Sequence, residues 1–324
     1  MSGRLLIYGA NGYTGRLAVE RAMEAGLDIV VAGRDGDKVA MLGDEFGVES
    51  RSFPLDDPDA VRGGLKDVDC VLHGAGPFQV TARPMMQACL AAGVHYVDLT
   101  AEFPTFALAE SMDEAARRAG VMVLSGGGWQ CVPSDCLVMH TARRVAEPRR
   151  LAIGLRVTGG FSRGSIAGSS IIAGLGVLVR RGGEVVSVGS PQPRTFDFGD
   201  GPVDCMPAAM GELVTGWRST GIGDIECYLG TDAGFPDEIA GDGPTARERA
   251  ANRYRVLAEV TDRDGQIARS MIETPNGYTY TPLAGIEIAC RVLGGHAPVG
   301  YQTPASAYGV DLALAIGDTT ITNL

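Results

Sequence analysis

Three glycines at positions 9, 12 and 15 follow the apolar run Leu5-Leu6-Ile7 and precede the helical pattern of Leu17, Ala18, Ala22 and Ala25. Strand, glycine turn and helix in that order suit one chemistry, the seating of a pyrophosphate on main-chain N–H groups at a helix N-terminus. Gly9 permits a sharp turn, Gly12 presents no Cβ to the phosphates, and Gly15 lets the helix pack closely on its strand. Asn11, Tyr13 and Thr14 share this loop and are the other cofactor candidates within it. The first two glycines are separated by two residues, one more than in the commoner GxGxxG, so the alternative is a plain turn.

A second apolar run, Ile29-Val30-Val31-Ala32, ends at Gly33-Arg34, where the tip of the next strand meets the adenosine ribose. An acidic residue there would accept from a 2′-hydroxyl, whereas the planar donors of Arg34 suit a 2′-phosphate. This predicts NADP(H), with Lys38 adding charge and Asp35 opposing it; the bland reading of Arg34 is a solvated surface residue. Further along, Asp56 follows the strand of Val48 to Phe53 and either bonds the adenine amine or, with Asp57, caps a helix from Pro58 to Leu65.

The strand Val68 to Leu72 runs into His73-Gly74-Ala75-Gly76-Pro77-Phe78, a second glycine-rich loop expected at the same sheet edge. Ala75, Gly76, Pro77 and Phe78 are therefore cofactor candidates near the nicotinamide half, while His73 reads as a packed side chain. A helix from Pro84 to Ala92 leads to the strand Val94 to Leu99, which presents Asp98, Thr100 and Glu102 at its end. Asp98 is the candidate catalytic carboxylate. Thr100 and Glu102 also fit the start of a helix running from Phe103 to Ala119.

The chain has 324 residues, enough for two domains, with the balanced composition of a globular protein. Its net charge of −11 argues against nucleic-acid or anionic-membrane surfaces. No apolar stretch reaches membrane-spanning length, and the four residues before the first strand are too few for a signal peptide. Seven cysteines without a paired framework fit a reducing compartment, so a cytoplasmic protein is expected. Cys131, Cys136 and His140 lie close in sequence, but a fourth ligand is missing and no metal site is predicted. GxSxG, HExxH and Walker-type motifs do not occur.

With the strand Val121 to Leu124 and the loop after it, the chain resembles the saccharopine dehydrogenase-like oxidoreductases. GANGYTGR, a strand ending in AGR, AGPF, HYVDLTAE, a GxxxxVPSD loop and a closing TPASAYG occur in that order and span nearly the whole chain. The resemblance implies an NADP(H)-binding Rossmann domain, a second domain carried on its sixth strand, and a C-terminal helix returning to the first domain. It also implies hydride transfer on amino-acid-derived imines in some members and on an enoyl lipid intermediate in others. Where relatives often read Gly-Phe-Asp-Ser-Val-Pro-Ser-Asp, this chain has Gly128-Trp129-Gln130-Cys131-Val132-Pro133-Ser134-Asp135. Gln130 is neither acid nor base, so any role of an aspartate there becomes hydrogen bonding. Ser134 and Asp135 are expected to cap a helix from Asp135 to Val145.

From Leu151 onward, alternating runs at 151–157, 194–198, 222–229, 254–262 and 266–273 predict strands, the last two joined by a hairpin at Asp264-Gly265. A glycine-interrupted helix is expected to reach Val179, with Arg163 before it as a possible clamp for a substrate carboxylate or phosphate. The charged stretch Asp237 to Arg253 reads as a solvated loop and helix. Helices are expected at 281–293 and 304–316.

The expected fold class is α/β: a Rossmann-type doubly wound parallel sheet plus a second α+β domain with a mostly antiparallel sheet. The expected domains are 1–128, 129–295 and a returning segment 296–324. The function these residues point to is an NADP(H)-dependent oxidoreductase acting on a small molecule, with no nucleic acid or membrane insertion and with a homodimer as its assembly. Trp129, Gln130 and Arg163 are its substrate candidates. An imine or other amino-acid-derived substrate is the first reading and an enoyl group on a carrier the second; a non-catalytic redox sensor is a third.

Overall fold

The computed structural model describes residues 3–189, 192–232, 234, 236, 239 and 241–324. The chain divides into two units. One comprises Met1–Thr100, Pro104–Gly128 and Thr281–Gln302, the other Ala101–Phe103, Trp129–Tyr280 and Thr303–Leu324.

The first unit begins with β1 (Arg4–Tyr8), α1 (Tyr13–Glu24), β2 (Asp28–Gly33), α2 (Gly36–Phe46), β3 (Glu49–Ser52) and α3 (Pro58–Gly64). It continues with β4 (Cys70–His73), α4 (Phe78–Ala92), β5 (His95–Asp98), α5 (Phe103–Ser111), α6 (Asp113–Ala119) and β6 (Met122–Leu124). Strands β1, β4, β5 and β6 are short apolar runs buried on both faces, as a sheet covered by helices requires. Neighbouring strands pair in parallel in the order β6-β5-β4-β1-β2-β3, and a seventh strand from late in the chain adds outside β6. The order reverses between β1 and β4. That is the crevice where open α/β sheets bind ligands, and both glycine loops leave from it.

In the second unit, α7 (Cys131–Ala142) and β7 (Pro148–Val157) are followed by α8 (Arg163–Gly174), β8 (Leu178–Arg181), β9 (Glu184–Ser187), β10 (Arg194–Asp197) and β11 (Pro202–Pro207). Then come α9 (Glu212–Thr220), β12 (Asp224–Thr231), α10 (Ala246–Ala251), β13 (Arg253–Asp262) and β14 (Ile267–Pro275). The chain closes with α11 (Gly277–Leu293), β15 (Gly300–Gln302), α12 (Pro304–Tyr308), α13 (Asp311–Leu314) and β16 (Thr320–Asn323). Among the described residues the second sheet runs β10-β11-β12-β7-β13-β14-β16, with β8 and β9 joined at β12. All its pairs are antiparallel except β12 with β7. Phe196, Phe198, Tyr228 and Leu257 form an apolar cluster there, and α7 lies against β13, β14 and α9.

Several elements differ from the sequence reading. Helix α4 starts six residues before Pro84, which therefore sits inside it. Proline removes one helix bond, and the carbonyl it leaves belongs to Val80 on an exposed turn where water can take it. The helix expected over 103–119 breaks at Met112 into α5 and α6. The helix expected to reach Val179 ends at Gly174, and a hairpin turning on Gly182-Gly183 follows, with both glycines at positive φ. The segment expected at 304–316 is two short helices separated by Gly309. Part of the stretch 237–253 lies outside the described residues; Ala246–Ala251 within it is a helix with a capping box from Thr245 and Glu248.

The domain expectation also changes. The segment that returns to the first unit is Thr281–Gln302, and the last residues rejoin the second. Edge pairing explains this: β15 adds in parallel to β6, whereas β16 adds antiparallel to β14.

Ser134 and Asp135 are interior residues of α7, which begins at Cys131. Both are wholly buried and face α9 and α12. Ser134 donates to Glu212 Oε1 at 2.8 Å; Asp135 accepts from Ser219 Oγ at 2.7 Å and from the Ala305 N–H at 2.8 Å. Burial pushes the Glu212 carboxyl up to about 7 and that of Asp135 up to about 6. A carboxyl whose native pKa is raised adds stability below its unfolded pKa and loses it as pH rises through the native one. The pair should therefore cost stability between about pH 4 and about pH 7. Glu212→Gln is expected to flatten that slope: in thermal melts at about pH 5 and about pH 8, the variant should lose less Tm than the wild type. An equal loss would mean that Glu212 is not the group responsible.

Candidate functional site

The turn after β1 is set by backbone. Gly9 has φ +83°, its N–H and that of Ala10 donate to the Ala32 carbonyl at 2.8 and 3.1 Å, and the Gly12 N–H donates to the Gly9 carbonyl at 3.0 Å. A Cβ on Gly15 would lie 2.1 Å from the Gly9 carbonyl oxygen, so only glycine lets α1 come this close. Gly12 is the N-cap of α1 and is exposed, with no side chain capping the first turn. Tyr13 and Thr14 open the helix and are half-buried, and Asn11 is exposed with its amide oxygen lying over Gly33. A glycine N-cap, an uncluttered first turn and a helix N-terminus fit a pyrophosphate.

At the tip of β2, Arg34 is exposed and makes no ion pair among the described residues. Asp57, not Asp56, caps α3, accepting from Asp59 and Ala60 N–H groups at 3.0 and 3.1 Å. Asp56 is thus exposed, with no hydrogen bond or ion pair among the described residues. Tyr8, at the end of β1, donates its hydroxyl to the Phe53 carbonyl at 2.9 Å. Burial pushes its phenol up to about 12, with Arg34 pulling it down and Asp56 pushing it up, so both side chains are within electrostatic reach of it. Lys38 is turned to Asp35, the N-cap of α2, at 3.2 Å.

The second glycine loop touches the first. A Cβ on Gly9 would lie 2.8 Å from the Ala75 nitrogen, and the Gly74 N–H donates to the Tyr8 carbonyl at 2.8 Å. Thr81 in the first turn of α4 donates to the Ala75 carbonyl at 2.6 Å. Gly76 and Pro77 are exposed; Ala75 and Phe78 are half-buried.

Asp98 is wholly buried at the end of β5. Its Oδ1 accepts from the N–H groups of Thr100 and Gly126, both at 3.0 Å; its Oδ2 accepts from Tyr96 Oη at 3.0 Å and Ser125 Oγ at 2.8 Å. Burial raises its carboxyl to about 6, against the downward pull of those four donors. Tyr96 in turn meets His73 Nδ1 at 3.0 Å. His73, directly across from Asp98 in the β4–β5 register, is fully buried and held neutral, its pKa driven down to about 3 by burial. Sequence reasoning took Asp98 alone and missed this chain. The legible signal was the alternation of Tyr96 and Asp98 on one face of β5, two residues apart.

The substrate candidates lie in the second unit. Trp129 is buried, its indole N–H donating to Thr274 Oγ1 at 2.8 Å and its ring edge-on to Tyr254 at 4.6 Å. Gln130 is half-buried and donates to Glu212 Oε2 at 3.3 Å, the hydrogen-bonding role its chemistry allows. Arg163 begins α8, is exposed, and pairs with Asp242. Cys131, Cys136 and His140 turn to separate partners: Thr215, the Gly309 carbonyl and Asn323.

A 3-2-1-4-5-6 parallel sheet with a glycine turn at its switch point defines a Rossmann-type dinucleotide-binding domain, here joined to a second unit with a mixed sheet. Residues 5–124 match the family described as "Saccharopine dehydrogenase NADP binding domain". Over the whole chain, the fold is that of saccharopine dehydrogenase (L-Glu forming) from Saccharomyces cerevisiae, with TM-score 0.69, 12% identity and complete coverage of both chains. In sequence the chain is similar to a putative trans-acting enoyl reductase of Mycobacterium tuberculosis, 31% identical over 179 residues, covering 50% of this chain and 42% of the relative. A trans-acting enoyl reductase of Mycobacterium leprae is 28% identical over 181 residues, covering 52% of this chain and 43% of the relative. The matched region spans less than half of these curated relatives. No helix among the described residues is long and apolar enough to cross a membrane.

The Gly15 contact makes a direct test. Gly15→Ala is expected to force α1 away from the turn, destabilising the protein by about 1–3 kcal/mol in a denaturant melt. A variant as stable as the wild type would show that the helix can retreat freely.

Proposed function

We propose that the protein is an NADP(H)-dependent oxidoreductase. The observation that carries the cofactor reading is the exposed, unpaired Arg34 at the tip of β2, with Asp56 likewise unpaired among the described residues. In this reading the Gly9–Gly15 turn, with Asn11, Tyr13 and Thr14, holds the pyrophosphate on its N–H groups. Arg34 takes the 2′-phosphate, Asp56 accepts from the adenine amine, and Ala75 to Phe78 line the reactive end. A bound nicotinamide supplies the hydride; the chain's own residues orient the reactants and exclude water. Asp98 has all four hydrogen-bonding directions taken, so its role is positioning: it ties the ends of β5 and β6 beneath the site.

For the substrate, an enoyl group on an apolar carrier-bound chain is favoured. Helix α8 has no buried residue, and its half-buried Ile166, Ile171 and Ile172 leave apolar surface that an acyl chain could cover; the curated relatives are named as trans-acting enoyl reductases. The imine reading keeps one support, Arg163 at the start of the same helix. Its pairing with Asp242 is exposed and worth at most about 1 kcal/mol, which a substrate carboxylate could displace. Seven free thiols accord with a reducing, cytoplasmic location, and the second unit's sheet with a homodimer.

A charge-assisted bond to a 2′-phosphate is worth about 1.5–3 kcal/mol, so Arg34→Ala should weaken NADPH by roughly ten- to hundredfold while leaving NADH nearly unchanged. Equal losses for both nucleotides in equilibrium titrations would reject Arg34 as the discriminator. NADPH oxidation over a panel of enoyl thioesters and amino-acid-derived imines decides the substrate class. Tight NADPH binding without turnover on either class would point to the redox sensor.

A further inference from the structure

Helix α8 has little along its length to hold it. None of its residues is buried, no helix or strand among the described residues packs closely along it, and it contains Gly164, Gly168 and Gly174. A helix this short is marginal in water unless packing supports it, and each glycine lowers its propensity further. Gly168, Ser169, Ile171, Ile172 and Leu175 lie on its less exposed side, half-buried rather than sealed. Residues 164–179 carry no charged side chain, so the group that completes the burial of that side is apolar.

The N-terminus of α8 is closed by a residue from far along the chain. Ser162 is the N-cap, and its Oγ accepts from the Ser165 N–H at 3.2 Å. In a reciprocal cap, a glutamate or glutamine at the position of Ser165 reaches back to the N-cap N–H. Serine is too short to do so. The Tyr278 hydroxyl takes its place, accepting from the Ser162 N–H at 2.7 Å and donating to Ser165 Oγ at 2.7 Å. Tyr278 is anchored independently of α8: it is buried in the first turn of α11, and its N–H donates to the buried Asn276 Oδ1 at 3.0 Å. Gly277 beside it lies so close to Tyr254 that a Cβ would come within 2.6 Å of that ring. Fixing the first turn is the costly step of helix formation, so this one hydroxyl bears on whether the whole of α8 is helical.

We infer that Tyr278 is a positioning residue for the substrate's acyl chain: it nucleates α8, and the chain completes the helix by covering the side that carries Ile171, Ile172 and Leu175. The inference rests on the enoyl reading above and assigns the preference for long chains to α8.

The test joins amide hydrogen exchange to steady-state kinetics on the full chain, with crotonyl and hexadecenoyl thioesters as probes. Added with NADP+, so that it is not reduced, the hexadecenoyl thioester should slow exchange across Arg163–Gly174, and the crotonyl thioester should not. Tyr278→Phe keeps the ring; it should speed exchange there about tenfold and raise KM for the hexadecenoyl substrate about tenfold, with kcat and the crotonyl KM within about twofold of wild type. Ser165→Gln in the Tyr278→Phe background should restore both, because glutamine can reach the Ser162 N–H directly. If Tyr278→Phe does not fold, Ser165→Ala, which removes only the bond between the two hydroxyls, carries the same expectations. Equal losses for both chain lengths, unchanged exchange in α8, or no recovery with glutamine overturns the inference and leaves the enoyl reading standing. Exchange in α8 that slows with protein concentration alone would mean that a second copy covers the helix, with the same consequence. If neither thioester is reduced while an imine is, the enoyl reading falls and takes this inference with it.

Discussion

A carbonyl oxygen and a helix compete for one place at the head of this chain. The Gly9 carbonyl projects from the turn into the path of α1, and the helix clears it only because position 15 has no Cβ. That contact brings the helix N-terminus to the end of β1, at the switch point of the sheet. Everything proposed for the first unit follows from it: the glycine N-cap, the touching Ala75 loop, and the two strand tips that place Arg34 and Asp56 within electrostatic reach of Tyr8. Dispersion and hydrophobic burial hold the sheet together, but the close backbone approach sets where its polar edge can receive a ligand.

The two units solve the burial of carboxylates in different ways. Asp98 is surrounded by four donors, two from backbone and two from hydroxyls, which hold a charge by hydrogen bonds rather than by a cation. Glu212 has weaker help, a serine hydroxyl and a glutamine amide, and lies near the negative charge of Asp135. Its proton is correspondingly harder to remove. Both arrangements link elements remote in sequence: Asp98 joins β5 to the loop after β6, and Glu212 joins α9 to the start of α7. Helix α7 is thereby held by polar bonds at its opening turns and by apolar packing along β13 and β14.

Much of the fold was legible where its signals are local. Gly9, Gly12 and Gly15 follow an apolar run, Arg34 ends another, and Asp264-Gly265 separates two alternating runs that indeed pair as β13 and β14. What was misread depends on partners far away. Pro84 looked like a helix start, but its missing bond is tolerated on an exposed turn. Ser134 and Asp135 have the residue types of a cap, yet distant Glu212, Ser219 and Ala305 make interior positions satisfactory for them. Strands β15 and β16 are too short to carry a periodic pattern; an edge in each sheet recruits them.

By itself, then, the sequence determined the strand-turn-helix opening, the cationic tip of the second strand and the two-sheet architecture, because backbone permission and hydrophobic period act between near neighbours. Only tertiary structure decided that Asp98 is encircled rather than presented, that Asp57 caps α3 while Asp56 does not, and that His73 meets Tyr96 through Nδ1 with its Nε2 lacking a partner among the described residues. Those outcomes turn on which hydrogen-bonding directions remain after strands have paired, a sum over groups that no stretch of sequence holds together.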